Sequence, residues 1–142
     1  MEPTTPQFDP VKYKNNTHDQ WQAAAEAWYQ WSPTLNNWLG KATDKMLEMA
    51  GVTGGHRVLD IAAGAGEQSI TTAKKVGPSG YVLATDISSN ILEYAKQMAQ
   101  QAGVNNLETK VMDGENLVLE DETFDVLFQG LDLFIFLISK GR

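Results

Sequence analysis

Three acidic residues and two glycines stand at spacings that suit a nucleoside ligand. Gly64 and Gly66 follow the short apolar run Arg57-Val58-Leu59-Asp60-Ile61, and Asp86 stands twenty residues past Gly66, at the end of Tyr81-Val82-Leu83-Ala84-Thr85. A buried strand that turns sharply through small residues into a helix lets the backbone approach a ligand closely. A carboxylate ending the next buried strand is placed to accept from both ribose hydroxyls. Asp86 has a plainer alternative, capping the helix that begins near Ser88.

The G-x-G pair alone does not name the nucleotide. A dinucleotide fingerprint requires a third glycine where Ser69 stands, and it binds its diphosphate on the helix N-terminus. Here Asp60 lies at the turn and Glu67 is the first helical residue, a poor setting for a dianion and a good one for a ligand carrying a sulfonium and an ammonium. S-adenosylmethionine is therefore favoured over NAD. Asp60 also suits a purely structural role, holding the turn through backbone hydrogen bonds, and the two roles are compatible. Asp113 closes a third apolar segment, Val111-Met112, where its carboxylate would accept from the exocyclic amine of adenine; an ordinary Asp-Gly turn with Gly114 is the alternative.

These pieces together resemble a class I S-adenosylmethionine-dependent methyltransferase over residues 18 to 129, and most closely the ubiquinone/menaquinone C-methyltransferase branch. The resemblance rests on Val58-Leu59-Asp60-Ile61-Ala62-Ala63-Gly64-Ala65-Gly66, Ala84-Thr85-Asp86-Ile87-Ser88, Met112-Asp113-Gly114-Glu115-Asn116-Leu117 and Phe124-Asp125-Val126-Leu127, in the family's order and spacing. Trp21 to Ser32 is similar to the helix preceding the cofactor domain in bacterial members. Ala62 departs from the pattern, standing where D-x-G-x-G-x-G has its first glycine. The resemblance implies an α/β fold, a Rossmann-like parallel sheet with helices on both faces and an N-terminal helical segment before it. It also implies S-adenosylmethionine as cofactor, bound through Asp60, Ala62, Gly64, Gly66, Asp86, Ile87, Asp113 and Gly114, and a small-molecule methyl acceptor.

Composition limits the alternatives. A chain of 142 residues forms one domain at most. No early apolar run reads as a signal peptide or a membrane span, so the cytoplasm is the expected location and no membrane partner is expected. The chain has no cysteine, which excludes disulfides and thiolate chemistry, and no cluster suggests a metal. A net charge of −7 with scattered lysines and arginines argues against nucleic acid as substrate.

The organisation follows from pattern. Residues 1–16, with Pro3, Pro6 and Pro10, read as a flexible arm. Residues 17–50 form a helical cap of two helices: Asp19 to Trp31 carries Trp21, Ala24, Ala25 and Trp28 on one face, Ser32-Pro33 interrupts, and Leu35, Trp38, Leu39, Ala42 and Met46 mark a second buried stripe. Trp21, Trp28 and Trp38 are expected in the core, whereas Tyr29 and Trp31 fall off the stripe and are candidates to cover the cofactor or acceptor. Residues 51–129 form the cofactor domain, with strands Arg57–Ile61, Tyr81–Thr85, Leu107–Met112 and Phe124–Phe128 and helices Glu67–Val76 and Ser89–Ala102; alternating strands and helices imply a parallel sheet. His56 reads as a surface residue and His18 as structural rather than a base, so no catalytic residue is assigned.

Residues 130–142 are anomalous. Leu131 to Ile138 is apolar at every position but Asp132, too short to span a membrane and an aggregation hazard if exposed. Shifting the reading frame from Gly130 permits Val-Gly-Phe-Ile-Tyr-Phe-Pro-Asp-Gln-Gln-Arg-Ala, which resembles the family's continuation after its fourth strand. The tail therefore reads as an out-of-frame end of a longer sequence. On that reading the fourth strand is an unpaired edge, with self-association through the exposed sheet edge and loss of methyl transfer as consequences. Three readings follow: a methyltransferase, an inactive truncated fragment of one, and, disfavoured by Ser69 and Asp60, a nicotinamide-dependent oxidoreductase.

Overall fold

The computed structural model describes residues 7–117, 119, 124–129 and 134–136. One long helix, α1 (Pro10–Met49), precedes β1 (Arg57–Ile61), α2 (Glu67–Val76), β2 (Tyr81–Asp86), α3 (Ser89–Gln101), β3 (Leu107–Val111), β4 (Val126–Gln129) and β5 (Phe134–Phe136). The strands form one sheet in the order β3-β2-β1-β4-β5. The first four are mutually parallel, with Leu59 opposite Leu83 on one side and Leu127 on the other. Sequence order reverses between β1 and β4, where sheets of this type leave a crevice beyond their carboxyl ends.

β1 and β2 are buried almost throughout because they lie inside the sheet, which is why they read as unbroken apolar runs. Val58, Val82, Val126 and Phe128 point to the side packed by Ala73 and Val76 of α2 and by Met46 and Leu47 of α1. Alternate residues Leu59, Ile61, Leu83 and Leu127 face the other way and meet Phe124, with Leu117 and Leu119 beside them. Among the described residues, α1, α2 and α3 contact one another, and Met46, Leu47, Ala73 and Val76 share the first of these two clusters.

The amino-terminal region differs from its sequence reading. The arm expected over residues 1–16 gives way to helix at Pro10, because Asp9 accepts from the N–H groups of Val11 and Lys12 at 3.0 and 3.1 Å and proline suits the first helical position. The expected break at Ser32-Pro33 is absent: α1 runs through Pro33. With one continuous helix the expected stripes do not both face inward. Trp38 is 78% exposed, Trp21 is 42% exposed, and Trp28 is half-buried; Ala25, Ser32, Met46 and Leu47 are the residues α1 buries.

The edge of the sheet also differs. β4 is not an unpaired edge, because Phe134–Phe136 pairs antiparallel with it, Phe128 standing opposite Ile135. The rest of the tail read as out of frame lies outside the described residues.

Candidate functional site

The glycine turn is fixed to the end of β2 by one backbone hydrogen bond and two between side chain and backbone. Ala63 N–H donates to Thr85 O at 2.9 Å, Gly64 N–H donates to Asp86 Oδ2 at 3.1 Å, and Thr85 Oγ1 donates to Asp60 O at 3.0 Å. The end of β3 is held similarly, Met112 N–H donating to Asp86 O at 2.9 Å. Parallel register thus brings Asp60, Gly64, Gly66, Asp86 and Asp113, spread over more than fifty residues, to one end of the sheet.

The turn demands small residues. Gly64 has φ 60° and Gly66 φ 88°, left-handed values that a Cβ disfavours. At Gly66 a Cβ would also lie 2.9 Å from the Ala95 side chain and 3.3 Å from its Cα, so the glycine lets α3 pack against the start of α2. Ala62 has φ 57°, the one positive φ at a non-glycine position among the described residues. That explains why its family pattern carries glycine there and what the alanine costs.

Asp60 is wholly buried, and its Oδ2 accepts from Ser69 Oγ at 2.5 Å, while Oδ1 has no hydrogen-bond partner. Ser69, standing where a dinucleotide site has its third glycine, thus serves this carboxylate. Burial, and secondarily repulsion from Asp86, push the Asp60 carboxyl up to about 7 against the pull of the Ser69 bond. Glu67 on the first turn of α2 is also pushed up to about 7 by burial, opposed by a hydrogen bond with Ser32 of α1. The first turn of α2 has no side-chain cap at Gly66, which leaves backbone donors at the helix start.

An orphaned buried carboxylate oxygen beside open helix-start donors fits the amino-acid end of S-adenosylmethionine: an ammonium complements Asp60 and a carboxylate complements the N–H groups. A diphosphate there would face three acidic side chains, Asp60, Glu67 and Asp86. No group of three or more His, Asp or Glu side chains suited to a metal occurs among the described residues.

Asp86 is not the cap of α3. Ser88 takes that position, its hydroxyl accepting from Ile91 N–H at 3.2 Å, while Asp86 Oδ1 accepts from Ser88 N–H at 3.0 Å. Ile87 follows it, half-buried. Asp113 does form a turn, its Oδ1 accepting from Glu115 N–H at 2.9 Å, and it also pairs with Lys14. The Lys14 ammonium, with help from the Glu115 N–H, holds the Asp113 carboxyl below the usual range. Gly114 lies against β1, where a Cβ would stand 3.1 Å from Ile61 Cγ2.

Tyr29 stacks on Tyr94 of α3 with ring centroids 4.5 Å apart, and Tyr94 in turn packs against the cluster of Ala25, Ala65 and Ile91. Trp31 is 62% exposed. His56 takes Thr53 N–H at 3.2 Å, and His18 pairs with its neighbour Asp19. Sequence reading missed Lys14 and Gln22, both of which contact the site's loops. Asp9-Pro10, a cap residue followed by proline, was the signal that helix already begins there.

This sheet order, glycine turn and set of carboxylates define a nucleoside-binding α/β domain of the methyltransferase type. The family model of a methyltransferase domain matches residues 53–135, and the chain belongs to that family. A 2-phytyl-1,4-naphthoquinone methyltransferase of Trichormus variabilis is 33% identical over 108 residues, covering 70% of this chain and 46% of the relative. A ubiquinone/menaquinone biosynthesis C-methyltransferase of Pseudomonas fluorescens is 39% identical over 80 residues, 56% of this chain and 31% of the relative. The crystal structure of an S-adenosylmethionine-dependent methyltransferase from Aquifex aeolicus superposes with TM-score 0.57 at 31% identity, covering 61% of this chain and 46% of that one. The chain spans less than half the length of the curated relatives it matches. Among the described residues no helix is long and apolar enough to cross a membrane.

Proposed function

We propose that the domain binds S-adenosylmethionine and presents its methyl group to a small-molecule acceptor. The observation that carries this reading is the buried, unpartnered Oδ1 of Asp60 beneath a glycine turn tied to Asp86. Asp60 would hold the ammonium, the start of α2 the carboxylate, Asp86 the ribose hydroxyls and Asp113 the adenine amine, with Ala62, Gly64, Gly66, Ile87 and Gly114 shaping the walls. The cofactor supplies an already activated methyl group on its sulfonium. The chain's task is then orientation and exclusion of water. No base is assigned, and none is needed for an acceptor that attacks without first losing a proton.

The names of the relatives point to the acceptor class. One is named for a phytyl naphthoquinone and another for C-methylation in ubiquinone and menaquinone biosynthesis, so a ring with a nucleophilic carbon is the acceptor proposed here, and the net charge of −7 disfavours nucleic acid. A cytoplasmic setting belongs to the same proposal.

Calorimetry on the full chain tests the reading. S-adenosylhomocysteine should bind and NAD should not; tighter binding of NAD sinks the assignment. Asp86→Ala should weaken binding by about 2 kcal/mol, the scale of hydrogen bonds to a charged group. An unchanged dissociation constant in a folded variant removes Asp86 from the site.

A further inference from the structure

Helix α1 reaches the ligand end of the sheet through Gln22. Its side-chain Oε1 accepts from Ser88 Oγ at 2.6 Å and from Asn90 N–H at 3.3 Å, its Nε2 donates to Ser89 Oγ at 2.9 Å, and its backbone carbonyl accepts from Asn90 Nδ2 at 3.2 Å. These three consecutive partners begin two residues after Asp86. Ser88 is fully buried. Its hydroxyl caps α3 and its N–H donates to Asp86 Oδ1, while the other Asp86 oxygen accepts from Gly64 N–H. One chain of hydrogen bonds therefore runs from α1 through Ser88 and Asp86 to the glycine turn. Two helical turns earlier, Lys14 pairs with Asp113 and with Glu115 Oε2, the latter at 2.9 Å, at the end of β3.

Contact between α1 and α3 does not need this arrangement. Ala25 packs with Ile91 and Ala65, and Tyr29 stacks on Tyr94, which supplies an apolar junction. Fixing both ends of a glutamine amide costs side-chain entropy, and here it falls where a carboxylate's direction matters.

We propose that Gln22 is a positioning residue for the nucleoside: by fixing Ser88 it sets the Asp86 carboxylate in the direction that receives the ribose hydroxyls. The inference rests on the assignment of Asp86 to ribose. A carboxylate already accepting one N–H on each oxygen has its remaining lone pairs free for hydroxyls only in a limited range of orientations. Gln22, although it touches no ligand, decides which range is occupied.

The test uses the full chain and two probes, S-adenosylhomocysteine and its 2′-deoxyribosyl analogue, titrated by calorimetry. Gln22→Leu removes both acceptor contacts and should weaken S-adenosylhomocysteine about tenfold, the equivalent of one lost hydrogen bond. The 2′-deoxy analogue, which lacks one hydroxyl partner of Asp86, should weaken less than about threefold, since the two changes act on one contact and cannot add. Gln22→Glu keeps the acceptors, and Ser89 Oγ can turn to donate, so affinity should return to within about threefold of the parent. Should Gln22→Leu unfold, Gln22→Asn, too short to reach Ser88, carries the same expectation. Equal weakening of both probes, or none of either, overturns the positioning role. A parent chain that binds S-adenosylhomocysteine while Asp86→Ala binds it equally well overturns the ribose assignment instead, and the positioning role with it.

Discussion

The glycine-turn region and helix α1 are built on opposite principles. Between β1 and β2 the candidate site groups are placed by the sheet and its turn: parallel register, buried Thr85 and Asp60, and N–H groups donating to Thr85 O and the Asp86 carboxylate. Across its forty residues α1 buries Ala25, Ser32, Met46 and Leu47, while Trp31 and Trp38 stay largely in solvent. Its last turns join the main core through Met46 and Leu47, and its first half is held by the packing of Ala25 and Tyr29 on α3 together with polar contacts from Lys14 and Gln22. Side-chain substitutions should therefore act on the two regions very differently. In the turn they should strain backbone, and on the outer side of α1 they should do little.

The largest expected effect is at Gly66. An alanine there combines φ 88° with a Cβ 2.9 Å from Ala95, and Gly66→Ala should destabilise by about 3 kcal/mol, lowering the melting temperature by roughly 10 °C. A thermal scan superposing on the parent would mean that α3 moves freely and that the turn is no more rigid than α1.

Asp60 should make stability depend on pH. Its folded carboxyl sits at about 7 against an ordinary 3.8, so between those values the folded state holds the proton that the unfolded chain has released. Stability is then lost as pH rises from about 4 to about 7, by up to roughly 1.4 kcal/mol per unit, and is level above that. Asp60→Asn should remove this slope, leaving the weaker contribution of Glu67, and should also weaken S-adenosylhomocysteine at neutral pH. Denaturant titrations near pH 5 and near pH 8, within the window these shifts define, measure it; the same slope in both proteins would place the proton elsewhere.

Ala62 offers a smaller change of opposite sign. Its φ of 57° suits glycine, and relief of that strain outweighs the added freedom of the unfolded chain, so Ala62→Gly should stabilise by about 0.5 kcal/mol. A loss of stability would show that the alanine methyl packs against something the turn needs. Trp38→Ser should change least, within about 0.5 kcal/mol, since the ring is 78% exposed. A fall of several degrees in the melting temperature would show that the outer side of α1 is covered and that the contrast with the turn is overstated.

What the sequence determined by itself is the cofactor half. β1 and α2 have the bounds that their patterns predict, and β2 and α3 differ by a single residue each, because short β-branched runs and a helix started by a glycine turn are local signals that a buried parallel sheet does not override. Gly64, Gly66, Asp60 and Asp86 were legible for the same reason: their spacing along the chain is the geometry of a strand, a turn and a strand. Tertiary structure decided the rest. Whether α1 breaks at Pro33, which of its aromatic faces turns inward, that Tyr29 meets Tyr94, and that Lys14 and Gln22 reach the loops after β3 and β2 all depend on how one amphipathic helix lies across two others. The periodicity of α1 offers more than one apolar side, and only packing against α2 and α3 chooses between them.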